Sequence, residues 1–340
     1  MDYYFSLLTS TEKRAYQEVV KAINCHQRTV CINRLVSENS LALVLRAVNY
    51  DHPEFYYVDF QRNPYQIHGF ELVLELQYLY AERILIDIQE DVDRKIQATL
   101  TEIVGTGAYS PYQLIRHIHN YIVKHVKYDY DALQTPDMHP DAYTIFGVFI
   151  DQLAVCEGIA KAFRLLCSKL NIDSLVVFGK SSSTLVGIDL PHAWNICRLD
   201  NKYVHVDATW DIAVSSVSRY TRYDYFCISD EDILKDHQPE GSYPPCNTNE
   251  ELGYFKQTGS LFLSPTELKK YIDRELSKSS NLLYFKLSAP SERMKQLQEK
   301  TNALVEKKLS DMSTGAFSYE MVHNIAQGVF FYRINRGDGG

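Results

Sequence analysis

The feature that most constrains this chain is a stripe of apolar residues that begins just after Cys156. The stripe recurs at helical spacing and consists of Ile159, Phe163, Leu166, Cys167 and Leu170. This pattern predicts a buried amphipathic helix that starts at Cys156. The unpaired N–H groups and the positive dipole end of a helix N-terminus favour a thiolate, so the position predicts a reactive cysteine.

A predicted hairpin follows this helix. His192 to Leu199 and Tyr203 to Ala208 both alternate like strands, and Asp200-Asn201 supplies the turn residues between them. A tight turn with an even number of residues pairs even positions of the first strand with odd positions of the second. His192 and Asp207 are then expected on one face, as neighbours across the hairpin, unless a bulge intervenes.

A cysteine, a histidine and an aspartate in this arrangement are the parts of nucleophilic catalysis by a thiol. Cys156 is the predicted nucleophile, His192 the general base and acid, and Asp207 the group that orients the imidazole. His205 shares the predicted face of Asp207 and is the alternative base. A buried structural role is the alternative for each residue, and it is our interpretation of the other six cysteines.

Four further residues are predicted to contact the substrate or the oxyanion. Gln152 lies four residues before the nucleophile and could donate its amide beside the backbone N–H of Cys156, although an ordinary loop glutamine is the alternative. Gly158 has no Cβ and permits a close approach by another chain. Trp194 would shield the imidazole from water, and Asn195 would supply a supporting hydrogen bond.

Three motifs give the chain a family resemblance: CEGIAKAF at residues 156–163, HAWN at 192–195 and YVHVDATWD at 203–211. With them, residues 109–236 resemble the transglutaminase-like superfamily of cysteine-dependent acyl-transfer enzymes, which is related in fold to papain-type proteases. Bacterial members also commonly resemble this chain at Asp51-His52-Pro53-Glu54-Phe55. The resemblance implies that Cys156, His192 and Asp207 form the catalytic triad.

The resemblance also implies the fold. We expect an α+β core in which a helix carrying Cys156 packs on an antiparallel sheet carrying His192 and Asp207, with N- and C-terminal α+β additions. Cross-linking transglutaminases usually have an aromatic residue just after the nucleophile. Glu157 occupies that position here, which argues against cross-linking.

The predicted domains are residues 1–107, an α+β domain of unknown role; 108–250, the catalytic core; and 251–340, a small α+β domain with a flexible tail. Residues 239–251, rich in Pro, Gly and Asn, form the clearest boundary. The last domain has a predicted order of strand, helix, strand, helix, strand and strand. These elements are Leu261–Leu263, Pro265–Leu276, Leu282–Leu287, Pro290–Leu309, Ala316–Met321 and Gly328–Ile334.

Composition narrows the classes of partner and compartment. A formal net charge of -8 over 340 residues argues against a nucleic-acid or membrane-surface role, which would need a concentrated basic surface. The seven cysteines form no CxxC pair, which fits a reducing compartment, and neither a secretory signal nor a membrane span is recognisable. We therefore expect a cytoplasmic protein, and the family resemblance implies a bacterial one.

Together these patterns predict a hydrolytic cysteine enzyme, a protease, peptidase or deamidase, acting on amide bonds of a protein or peptide through a thioester. A cross-linking transglutaminase and a non-catalytic scaffold of the same fold are the alternatives. No cofactor is predicted. No metal site is predicted either, because His117 and His119 are two residues apart and point to different faces of their helix. The oligomeric state stays open.

Overall fold

A computed structural model describes residues 2–33, 36–68, 71–182, 189–247, 251–278, 280–289, 291–312 and 317–336. The chain forms two compact units. Unit 1 consists of Met1–Phe178 and Pro191–Asn201, and unit 2 of Gly179–Leu190 and Lys202–Gly340. Both contain helices and strands, which confirms the α+β class. The division into three domains stays a prediction, and the tail at residues 337–340 lies outside the described residues.

Capping side chains determine where several helices of unit 1 begin. Thr9 and Glu12 form a capping box at one helix start, and Ser110 and Gln113 form another, ahead of a proline in the first turn. The helices are α1 Tyr3–Leu7, α2 Ser10–Asn24, α3 Glu38–Asp51, α4 Glu82–Val104, α5 Pro111–His125, α6 Tyr130–Gln134 and α7 Cys156–Lys169.

The strands of unit 1 form small sheets around these helices. They are β1 Thr29–Asn33, β2 Tyr65–His68, β3 Glu71–Glu75, β4 Lys127–Tyr128, β5 Leu153–Ala154, β6 Ser174–Ser182 and β7 Asp189–Leu199. β1, β3 and β2 form an antiparallel sheet in that order, and β4 pairs with β5 in parallel. β6 continues into unit 2 at residue 179, and β7 enters unit 1 at residue 191.

α7 is the central helix of unit 1, with most of its side chains buried. Its Arg164 guanidinium lies 3.5 Å from the buried carboxylate of Asp51, which also accepts backbone hydrogen bonds from Tyr4 and Phe5. Burial raises the pKa of Asp51 above its ordinary value. The segment at residues 51–55, singled out by the family resemblance, is therefore tied to the helix that begins at Cys156.

Unit 2 contains helices α8 Ala208–Ser218, α9 Asp230–Ile233, α10 Tyr254–Gln257, α11 Pro265–Ser277 and α12 Ser291–Met312. Its strands are β8 Lys202–Val206, β9 Phe226–Ile228, β10 His237–Pro239, β11 Leu261–Phe262, β12 Leu282–Leu287, β13 Phe317–Met321 and β14 Val329–Arg336. Among the helices described in either unit, none has an apolar stretch long enough to cross a lipid bilayer.

The C-terminal part of unit 2 is a four-stranded sheet in the order β11-β12-β14-β13, with a buried apolar core shared with α11 and α12. The element order predicted for residues 261–334 is confirmed. The predicted helix start at Pro290 and strand start at Ala316 lie outside the described residues. Apolar residues at helical and alternating spacing were sufficient to predict these elements because local backbone geometry sets that spacing.

Candidate active site

Cys156 is the first residue of α7, as the sequence predicts, and the short strand β5 leads into it. Its side chain is buried in an apolar cluster with Ala160, Val176 and Ala193. Val155 is the N-cap residue and makes no side-chain capping bond. The first backbone N–H groups of a helix have no partner within the helix, so the thiol lies at the electropositive end of α7.

Tyr128 is a neighbour of the thiol that the sequence analysis did not identify. The parallel pairing of β4 with β5 places Tyr128 opposite Ala154, two residues before the nucleophile. Tyr128 packs against the apolar cluster that contains Cys156. Burial raises the pKa of Tyr128 well above its ordinary value, and the neighbouring Cys156 raises it further. Tyr128 is therefore a polar neighbour of the thiol, and the long-range pairing of β4 with β5 reveals it.

His192 and Trp194 lie on β7, and both are buried. Their rings are nearly parallel, with an interplanar angle of 19° and centroids 5.8 Å apart. Ala193, between them in sequence, packs in the same apolar cluster as Cys156. The strand that carries the predicted base therefore contacts the region of the predicted nucleophile within unit 1.

Asn195 is buried and has defined backbone partners. Its side-chain amide donates to the carbonyl of Ala160 on α7 at 2.9 Å and to that of Leu175 on β6 at 3.4 Å. These bonds join β7 to the helix of the nucleophile. In this structure the amide positions the strand that carries His192.

Gly158 and Gln152 have very different surroundings. A Cβ at Gly158 would lie 2.4 Å from the carbonyl oxygen of Ala142 and 2.8 Å from that of Thr144, so the glycine allows this segment to pack on α7. Gln152 is exposed and has a left-handed backbone at φ 54°. Its backbone carbonyl accepts the N–H of Lys127. The role of its side chain at an oxyanion stays a prediction.

The structure corrects the predicted setting of Asp207. β8 ends at Val206, and Asp207 is the N-cap of α8, where its Oδ1 accepts the backbone N–H of Trp210 at 3.0 Å. Aspartate is a preferred N-cap residue, and this local interaction ends the strand two residues before the predicted Ala208. The expectation that a strand carries Asp207 is therefore wrong. Its proximity to His192 stays a prediction.

Within unit 2, Asp207 has a histidine partner that the sequence analysis missed. Its Oδ2 lies 3.0 Å from Nε2 of His237, and Nδ1 of the same ring lies 2.6 Å from Oδ1 of Asp236. Tyr225 and Gln327 both donate to Oδ2 of Asp236, at 2.8 and 3.0 Å. All five residues are buried. No local sequence pattern predicts this network, because its members come from four separate elements or loops.

His205, the alternative base, has a different partner. Its Nε2 lies 2.9 Å from Oδ1 of Asp230, and burial lowers the pKa of this imidazole below its ordinary value. Together with Cys246 these residues bring a ring nitrogen, a carboxylate oxygen and a sulfur within 4.8 Å of one another, a set of atoms able to hold a metal ion. Their hydrogen bonds make a structural role a better description of His205 than a catalytic one.

A cleft of about 110 Å³ lies beside the nucleophile helix in unit 1. Glu157, the residue after Cys156, lines it together with Lys161, His52, Tyr143 and Pro140, among others. Lys161 pairs with Glu157 at 2.7 Å and also donates to Asn49 at 2.8 Å. The cleft therefore offers both apolar walls and a fixed ion pair on the helix that begins at Cys156.

Part of the chain is similar to known proteins. A family model of the transglutaminase-like superfamily matches residues 98–208. Kyphoscoliosis peptidase of Mus musculus is 26% identical over 159 residues, which is 43% of this chain and 24% of that protein. The Homo sapiens protein of the same name is 25% identical over 144 residues, which is 39% of this chain and 22% of that protein. The chain thus matches less than a quarter of the length of these relatives.

Solved structures resemble part of the chain. One is a TGase, with a TM-score of 0.31, 16% identity and a match covering 44% of each chain. Another is a candidate cysteine protease from Cytophaga hutchinsonii, with a TM-score of 0.27, 14% identity and coverage of 44% of this chain and 61% of that one. The stretch that the transglutaminase-like family model matches, residues 98–208, includes Cys156, His192 and Asp207.

Proposed function

We propose that this protein is a cysteine enzyme that cleaves amide bonds of a protein or peptide through a thioester intermediate. The observation that carries the proposal is the position of Cys156 at the first turn of α7, with Tyr128 and the strand of His192 packed against its apolar cluster. A helix N-terminus favours the thiolate, which is the reactive form of cysteine.

In the proposed mechanism the Cys156 thiolate attacks the carbonyl carbon of the amide. Backbone N–H groups at the start of α7 stabilise the oxyanion. Protonated His192 gives its proton to the leaving nitrogen as the C–N bond breaks, which leaves a thioester. Neutral His192 then takes a proton from water, whose oxygen attacks the thioester and releases the acid and the thiol.

Asp207 is proposed as the carboxylate that orients His192, a role carried over from the family motif. Its two oxygens already accept the N–H of Trp210 and face the ring of His237. An ionised carboxylate offers about four lone-pair sites, so it retains the capacity to accept a further imidazole N–H. Its N-cap position also favours the ionised form that this role requires.

Water is the proposed acyl acceptor. The relatives named kyphoscoliosis peptidase support a hydrolytic reaction. Glu157 forms an ion pair with Lys161 at the cleft. Cross-linking relatives usually have an aromatic residue at the position after the nucleophile, which Glu157 occupies here. Transfer to a lysine amine and a purely structural role of the fold are the outcomes that a test must separate from hydrolysis.

The test measures the rate of alkylation of each cysteine by iodoacetamide against pH, with the modified sites identified by mass spectrometry. Cys25 and Cys31 are exposed free thiols in the same chain and serve as internal references. We expect Cys156 to react at a pH well below the value of about 8.5 at which an ordinary thiol is half ionised. We expect this advantage to disappear in His192→Ala.

His205→Gln is the matched control, because it alters the alternative base. The advantage of Cys156 should survive in this variant. An inert Cys156, or one that is indifferent to His192, would leave the structural role as the better description. Fluorescent casein then separates the reactions. New peptides indicate proteolysis, and incorporation of a labelled primary amine indicates cross-linking. Ammonia released without incorporation of the amine indicates deamidation.

A further inference from the structure

A second cluster of reactive side chains lies in unit 2, outside the proposed triad. His205 is on β8, Asp230 is the first residue of α9, and Cys246 follows β10 in the chain. One donor atom from each lies within 4.8 Å of the other two. His205 and Cys246 are buried, and Asp230 is partly exposed. The fold thereby brings together three residues that span 41 positions of the sequence.

Hydrogen bonds hold the three residues in place. Oδ1 of Asp230 lies 2.9 Å from Nε2 of His205, and Oδ2 accepts the backbone N–H of Cys246 at 2.7 Å. The backbone N–H of Asp230 donates to the carbonyl of Cys246 at 3.0 Å. The two residues are thus bonded in both directions, which fixes the thiol beside the carboxylate. The thiol itself donates weakly to the carbonyl of Pro244 at 3.6 Å.

The set of donor atoms suits zinc. Imidazole nitrogen, thiolate sulfur and carboxylate oxygen are the ligands that Zn²⁺ takes in proteins. With Cys246 and Asp230 ionised and His205 neutral, the two negative charges balance the ion. A neutral assembly of this kind can be buried without an uncompensated charge, which would cost several kcal/mol.

The distances are close to those of a metal site. Bonds of about 2.0–2.3 Å in a tetrahedral arrangement place ligand atoms roughly 3.3–3.8 Å apart. Nε2 of His205 and Oδ1 of Asp230 are at hydrogen-bond distance, and each two of the three donor atoms lie within 4.8 Å of one another. Side-chain shifts of about 1 Å would convert the cluster into a coordination shell.

The protonation states agree with this geometry. Burial lowers the pKa of His205, which favours the neutral ring that a metal needs. The hydrogen bond from His205 lowers the pKa of Asp230, which favours its carboxylate. Burial, and then the charge of Asp230, raises the pKa of the Cys246 thiol far above its ordinary value. Without a cation the thiol keeps its proton, and a bound cation would reverse this.

We propose that His205, Asp230 and Cys246 form a zinc site in unit 2, with water or the hydroxyl of Tyr243 as fourth ligand. The ring of Tyr243 lies edge-on to that of His205, with centroids 5.9 Å apart. Binding of Zn²⁺ breaks the S–H bond of Cys246, forms the Zn–S bond and releases the proton to solvent. The site joins β8, α9 and the segment at residue 246, and it does not depend on the proposed enzymatic function.

The test uses the full chain without an affinity tag, loaded with excess Zn²⁺ and dialysed against metal-free buffer. We expect one zinc ion per chain by mass spectrometry of the elements. Replacement by Co²⁺ should give an intense near-ultraviolet band from charge transfer between thiolate and cobalt. Both signals should be lost in Cys246→Ser. They should persist in Cys156→Ser and in Cys197→Ser, another buried cysteine outside the cluster.

Asp230→Asn provides a second variant that keeps the thiol, and circular dichroism verifies that each variant is folded. We expect Asp230→Asn to bind zinc much more weakly in competition with a chromophoric chelator. A wild-type chain that stays metal-free after loading would overturn the proposal and leave a hydrogen-bonded cluster only. A cobalt band that survives in Cys246→Ser would also overturn it, because the metal would then be held by another cysteine.

Discussion

The surroundings of Cys156 in unit 1 differ sharply from those of Asp207 in unit 2. Cys156 lies among apolar side chains, with Tyr128 packed against the same cluster. Asp207 is part of a dense polar network, in which its oxygens meet a helix N-terminus and the ring of His237. An apolar setting disfavours a thiolate, so the helix N-terminus and polar neighbours must stabilise it, whereas a network fixes the charge and orientation of a carboxylate.

This difference indicates how each region tolerates substitution. The site of the thiol depends on close packing around α7, so changes of volume should affect it most. The site of Asp207 depends on charge balance, because two carboxylates face one buried imidazole. Both ring nitrogens of His237 face a carboxylate oxygen, a geometry that favours the protonated ring, which donates from both.

The largest effect is expected from His237→Gln. A glutamine of similar size cannot carry the positive charge, so Asp207 and Asp236 would lose their shared cation. Removing one partner from a buried ion pair costs about 3–5 kcal/mol of unfolding free energy. We expect a large loss of thermal stability, measured by calorimetry, and a further loss of any activity that requires Asp207.

His323→Gln is the matched control for this prediction. His323 is a half-buried histidine of the same unit that bonds Asn302 at 3.2 Å, and burial lowers its pKa to about 4, so its ring is neutral. Losing a neutral hydrogen bond costs only about 1 kcal/mol. Equal destabilisation by the two variants would contradict the view that charge balance holds the network of Asp207.

A smaller effect is expected from Gly158→Ala, which tests packing at the thiol. The added methyl group would lie 2.4 Å from the carbonyl oxygen of Ala142, a backbone atom that cannot turn aside. Overpacking of this kind costs about 1–3 kcal/mol. We expect a lower melting temperature and slower alkylation of Cys156, since the start of α7 must shift.

Gly107→Ala is the comparison for that variant. Its added methyl group would meet only the ring end of Tyr109, a side chain that can rotate away. We expect little change in stability and none in the alkylation of Cys156. If Gly158→Ala behaved in the same way, the close approach of the segment at residues 142–144 would not constrain the thiol.

Sequence patterns predicted the elements of this protein better than its polar contacts. The helix start at Cys156 and the order of elements at residues 261–334 follow from apolar spacing, which local backbone geometry determines. The predicted strand through Asp207 was wrong because a side-chain cap competes with extension of the strand. From the sequence alone, an aspartate at that position is compatible with a strand residue and with a helix N-cap.

The contacts of Tyr128 and His237 could not be predicted in the same way. Tyr128 is brought near the thiol by the pairing of β4 with β5, which are 26 positions apart. Each of these strands has two residues, which is too few to leave a periodic signal in the sequence. His237 meets Asp207 across 30 positions of chain, with two helices and a strand between them. Such pairings depend on the whole fold, whereas spacing rules report only on neighbours in sequence.

The smallest effect is expected from Tyr128→Phe, which removes a hydroxyl beside the cluster of Cys156 and keeps the ring in place. A typical hydrogen bond contributes about 0.5–1.5 kcal/mol, so loss of such a donor should slow alkylation of Cys156 at about pH 6 by roughly 2- to 13-fold. The exposed neighbour Tyr130, whose ring lies 5.0 Å from that of Tyr128, gives the control Tyr130→Phe, which should change nothing. Equal rates in both variants would mean that the helix N-terminus activates the thiol without help from Tyr128, so that no polar side chain plays at Cys156 the part that His237 plays at Asp207.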